Sequence, residues 1–144
     1  MGALCTLLLT QAAQGAVFEY TAALSGANEP PIPSVTPGTG FADVFFNDAA
    51  MTLEVKVTFS GLLGTTTASH IHAPTTTPGS GSAGVATTTP TFANFPLGVT
   101  SGAYDQTLAL LSLSSYNPAF VTANGGTAAG AEAALVSALN AGRS

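Results

Sequence analysis

The chain has 144 residues, enough for one domain with a core of its own. Charged residues make up only 6% of it and hydrophobic ones 46%. Against an average of about 25% charged in soluble domains, that balance excludes a disordered polypeptide, which lacks the apolar surface to fold. Seven carboxylates stand against two cations, Lys56 and Arg143, for a net charge of −5. Two cations cannot displace the phosphate counterions of a nucleic acid or hold an anionic membrane surface.

Residues 1–16 read as an export signal. Residues 3–10 (ALCTLLLT) form a short apolar run, and residues 11–16 (QAAQGA) supply the small side chains a signal peptidase accepts. The alternative is a buried first strand or helical turn. The single cysteine, Cys5, lies near the start of the run rather than just after it, where lipid attachment would need it. With the segment removed, the chain has no thiol and no disulfide. No later run approaches the ~20 apolar residues of a membrane span. The expected location is therefore secreted, periplasmic or cell-surface.

Residues 17–144 are expected to form one β domain. In residues 17–24 (VFEYTAAL), Phe18, Tyr20, Ala22 and Leu24 alternate with Glu19 and Thr21, the period of a half-buried strand. Residues 25–40 form a proline-rich loop, and Glu29 within it is pushed out of the helical region by Pro30. Residues 41–46 resume as a strand and residues 47–50 turn. Met51, Leu53, Val55, Val57 and Phe59 then alternate with Thr52, Glu54, Lys56, Thr58 and Ser60, which puts all the apolar residues on one side of a strand.

A short strand is expected over 68–73. Residues 74–96 read as a long surface loop, with a strand near Val85. Residues 104–113 suit a buried strand, although Leu108, Leu110, Leu111 and Leu113 also fit a helical stripe. Residues 128–142 are Ala-rich, with Ala131, Leu135 (or Val136) and Leu139 at helical spacing and Gly142 placed as a C-cap. The elements together predict an all-β fold, an antiparallel Greek-key sandwich or barrel with one short helix near the C-terminus. The exposed edges of such a fold need protection, for which loop prolines and the charged pair Glu54 and Lys56 are the visible means.

The two histidines form His70-Ile71-His72. On extended chain, residues i and i+2 project from one face, roughly 6.6 Å apart, and two imidazoles so placed can converge on one metal ion. Copper or zinc would suit them, with carboxylates, water or another chain completing the set; Asp43, Asp48 and Asp105 qualify by chemistry alone. The alternative is structural: both imidazoles bond to nearby backbone and threonine hydroxyls and hold residues 64–82 in place. No catalytic set is legible. There is no G-x-S-x-G elbow, no lysine after a glycine pair to hold phosphate, and Glu19, Glu29 and Glu54 could pair only by tertiary accident.

Residues 18–31 (FEYTAALSGANEPP), 38–42 (GTGFA) and 53–74 (LEVKVTFSGLLGTTTASHIHAP) together resemble the CHRD (chordin-type) domain family. The first matches its opening strand and an L-x-G-x-x-E-x-P-P stretch, one residue shorter here. The last matches its central strand, GL turn and HIH-x-P motif. Residues 92–143 follow its looser later part, including a short helix. Members of the family typically continue into a strand with a further histidine, so the resemblance implies a C-terminally incomplete domain with an open edge, which dimerisation could cover. It also implies a non-enzymatic binding or structural module whose partner is an unknown protein or surface ligand. The histidine pair is similar as well to one on a strand of copper/zinc superoxide dismutases, an analogy at the level of the fold.

Overall fold

The computed structural model describes residues 15–28 and 36–144. Residues 1–14 of the expected export segment, Cys5 among them, and Glu29 with its neighbouring prolines lie outside the described residues.

Four strands form one antiparallel sheet in the order β1-β2-β3-β4: β1 (Val17–Ser25), β2 (Thr39–Asn47), β3 (Thr52–Ser60) and β4 (Gly102–Ala109). The alternation read in residues 51–59 is the centre of it. Leu53, Val55 and Val57 are buried on the inner face, beside Val44 and Phe46 of β2 and Tyr104 of β4. Asn47 makes the β2–β3 turn by accepting at Oδ1 from the amides of Ala49 (3.1 Å) and Ala50 (2.8 Å), the asparagine's usual way of imitating a turn.

The mostly-β, antiparallel class and a C-terminal helix match the expectation, while the strand order is simpler than a Greek key. Residues 61–101 leave β3, and the chain still returns as β3's own neighbour. What lies between adds no second sheet; it forms an irregular layer over the inner face, where Phe95 stacks on Phe59 (5.7 Å) and Phe92 on Tyr104 (5.6 Å). The strand expected over 68–73 is reduced to an isolated bridge, His72 with Val85. Residues 104–113 divide: β4 ends at Ala109, and Leu111 and Leu113 are exposed. Because β3 is interior, Glu54 and Lys56 protect no edge; among the described residues the outer strands are β1 and β4.

Two helices follow instead of one. Helix α1 (Pro118–Ala123) opens on the pair Asn117-Pro118, whose asparagine Oδ1 accepts from the Ala119 amide while proline takes the first helical position. Helix α2 (Ala128–Asn140) is capped by the Thr127 side chain, which accepts from Gly130 N–H. It buries Ala131, Leu135, Ala138 and Leu139. Gly142, at φ +63°, closes the helix: its amide donates to Leu139 and that of Arg143 donates to Ala138, the paired bonds of a Schellman turn. Arg143 then exchanges one backbone and one side-chain hydrogen bond with the loop after the histidines. Thr75 N–H donates to its carbonyl (2.8 Å) and its Nε donates to the Thr75 carbonyl.

Candidate functional site

The histidine pair lies on the segment that failed to become a strand, and the reason is visible in its bonds. The backbone of residues 69, 71 and 73 faces residues 84–92. Ala73 N–H donates to Gly84 (3.1 Å), while the Ile71 carbonyl accepts from Ala86 (2.9 Å) and the Ser69 carbonyl from Phe92 (3.1 Å). Two of the remaining amides are met by hydroxyls rather than carbonyls: Ile71 N–H donates to Thr87 Oγ1 and Ser69 N–H to Thr91 Oγ1, each at 2.9 Å. Threonine side chains have replaced rungs of the ladder, so the chain is extended without being sheet.

Extended chain still alternates. Ile71 packs against the core and Ala73 is buried, while the half-buried His70 and the exposed His72 lie between them in the alternation. Their ring centres are 5.9 Å apart, edge to face. His70 Nε2 lies 2.6 Å from the Pro90 carbonyl, and His72 Nδ1 lies 2.8 Å from the Ala83 carbonyl. A carbonyl only accepts, so both of these nitrogens carry the proton. In the neutral imidazoles the remaining lone pairs are on His70 Nδ1 and His72 Nε2.

The carboxylates considered beside them lie elsewhere. Asp43 and Asp105 flank Lys56 on the outer face of the sheet, and Asp48 belongs to the β2–β3 turn. Lys56 Nζ is 3.1 Å from Glu54 and 3.9 Å from Asp105 and sits over the Phe45 ring; its bond to Glu54 raises its pKa. This face bears a shallow depression of about 230 Å³ lined in part by Phe41, Asp43, Lys56 and Asp105. Among the described residues no three His, Cys, Asp or Glu side chains gather where a metal could be held. Thr87, Thr91 and the carbonyls of Ala83 and Pro90 were not singled out by sequence, since bonds spanning 11 to 22 residues leave no periodicity.

The model of the CHRD domain matches residues 20–143, nearly the whole chain and both histidines. The chain belongs to the CHRD domain family. CHRD domains occur generally in extracellular proteins and are not known for enzymatic activity. No curated protein and no solved structure matches the chain. No helix among the described residues of this CHRD domain is long and apolar enough to cross a membrane.

Proposed function

We propose that this CHRD domain is an exported, non-enzymatic binding module whose outer strand, β1, pairs with a second copy. The observation that carries the reading is the exposure of β1 on its core side. Phe18 is 43% and Leu24 40% exposed, although both share a face with the buried Val44 and Phe46 of β2. An edge strand with uncovered apolar residues invites strand addition. Antiparallel pairing about a two-fold axis at Thr21 sets Phe18 of each copy opposite Leu24 of the other. Glu19, the only charge on β1, then faces Ala23, so no like charges meet. Export is supported by β1 opening at Val17, directly after the small residues 11–16, so that cleavage there leaves the sheet whole.

Sedimentation of the protein recovered from outside the cytoplasm tests this reading. The expected result is a reversible dimer that Leu24→Lys converts to monomer, because the change sets a lysine against each Phe18 without entering the buried core. A wild-type monomer at every concentration would overturn the pairing, and retention in the cytoplasm would overturn export.

A second reading is favoured by the histidines themselves: His70 and His72 hold a metal ion, copper or zinc. Two neighbouring imidazoles, each fixed by a ring N–H on a backbone carbonyl, have the outer bonding that metal-ligating histidines usually have. Metal uptake by the purified chain, lost in His70→Ala and His72→Ala, is the expected outcome.

A further inference from the structure

We infer that export removes residues 1–15 and that Asp48 receives the α-ammonium this creates on Ala16; the inference rests on the export reading and sets the cut one residue before the end of the small-residue stretch.

The position of the cut follows from side-chain size. Signal peptidase requires small residues three places and one place before the bond it cleaves. Within residues 11–17 (QAAQGAV), Ala13 and Gly15 are the only pair at that spacing, because every other frame puts Gln11, Gln14 or Val17 at one of the two places. The bond so chosen joins two exposed residues, Gly15 and Ala16, and lies ahead of β1.

The receiving group follows from the strand register. Strands β1 and β2 pair Val17 with Asn47, and the same register sets Ala16 opposite Asp48 one rung further out. That rung is half made, since the Asp48 amide donates to the Ala16 carbonyl (3.2 Å). A cut after Ala16 removes the rung. A cut before it keeps the rung and turns the Ala16 nitrogen into an amine. Opposite residues of antiparallel strands have Cα atoms about 5 Å apart, so the amine forms beside Asp48. A turn about the Ala16 Cα–C bond then brings it toward the carboxylate while the carbonyl keeps its bond.

Asp48 gains from taking it. Its Oδ1 is buried and has no hydrogen-bond partner, a costly state for a carboxylate oxygen. Gly15 lies against that oxygen: a Cβ built on it would stand 2.5 Å away. The residue that crowds the oxygen is thus one the cut removes, and the cation that satisfies it is the one the cut creates. An ammonium on a carboxylate makes a charge-assisted bond, stronger than a neutral one. Processing therefore closes the outermost rung between β1 and β2.

The test uses the full chain, expressed with export and, separately, held uncut in the cytoplasm, where signal peptidase does not act. Intact mass of the exported protein reads its first residue, expected to be Ala16. Asp48→Asn keeps the side chain's shape and removes its charge. It should lower the melting temperature of the processed protein by about 2–4 °C and leave that of the uncut chain unchanged or raised. Acetylating the α-amine of the processed wild-type protein removes the cation and should lower the melting temperature by a similar amount with no variant involved. That reaction is selective near neutral pH, because the bond to Glu54 raises the pKa of Lys56, the only other amine. Export with another first residue would overturn this inference and leave the export reading standing. A chain that stays uncut inside the cell would overturn both. A first residue at Ala16 with equal shifts in the two forms, or no shift on acetylation, would overturn the role of Asp48.

Discussion

The sheet and the irregular layer above it are held by different devices. In the sheet, backbone meets backbone in continuous register from β1 to β4, and side chains need only be apolar on one face. In residues 61–101 the backbone has few ladder partners, and individual side chains secure it: Thr66 to Pro96, Thr91 to Ser69, Thr87 to Ile71, and the two imidazoles to Pro90 and Ala83. A sheet spreads its hydrogen bonding over many equivalent rungs, whereas the layer concentrates it in a few hydroxyls and rings. A change on the sheet's outer face should therefore be tolerated, while a chemically similar change in the layer should not.

The largest expected effect tests whether the irregular layer is core or cover. Phe92 is 1% exposed and stacks on Tyr104 of β4. Phe92→Ala should cost about 3–5 kcal/mol, as much as truncating a buried side chain of β3, and chemical denaturation measures it. A loss below 1 kcal/mol would make the layer a dispensable cover. A sharper comparison uses one substitution in both regions. Thr87 is fully buried, and Thr87→Val leaves the Ile71 amide without its acceptor, at a cost of about 1–3 kcal/mol. Thr107→Val, on the exposed outer face of β4, should stay within about 0.5 kcal/mol. Equal losses at the two sites would erase the distinction.

The smallest effect is nil at neutral pH and grows in alkali. Burial raises the pKa of Tyr116 above its ordinary 10.0, helped by Glu132, and burial also raises Tyr104 and Tyr20. A raised folded pKa means that the unfolded chain loses the proton first. The stabilisation is complete below pH 10 and is lost as pH rises above it, at up to about 1.4 kcal/mol per pH unit for each such group. Tyr116 donates to the Leu110 carbonyl (2.8 Å), tying the end of β4 to the start of α1. Tyr116→Phe should make the alkaline fall in melting temperature shallower. An unchanged slope would place the sensitivity in the other tyrosines.

The same contrast explains what could be read in advance. A period of two needs no knowledge of partners, so β3 was legible from Leu53 to Phe59, and α2 from Ala131 to its closing Gly142. The alternation of His70, Ile71 and His72 was legible for the same reason, even though the segment is not sheet. Periodicity does not tell whether anything covers a face, which is why β1 looked half-buried and is mostly exposed. Nor does it reveal that Thr87 and Thr91, among many threonines, replace carbonyls. Helix α1 did carry a signal, Asn117 before Pro118, but at six residues it is too short for a periodic stripe to draw attention to it.

The end of α2 joins the two proposed binding surfaces. Asn140 accepts the Tyr20 hydroxyl of β1 at 2.7 Å. Three residues on, Arg143 grips Thr75, itself three residues beyond His72. One turn of backbone, stiffened by its glycine cap, therefore straps the outer strand to the histidine loop. The edge of the sheet and the histidine loop are thus anchored to one helix end, and loosening that end would free both at once.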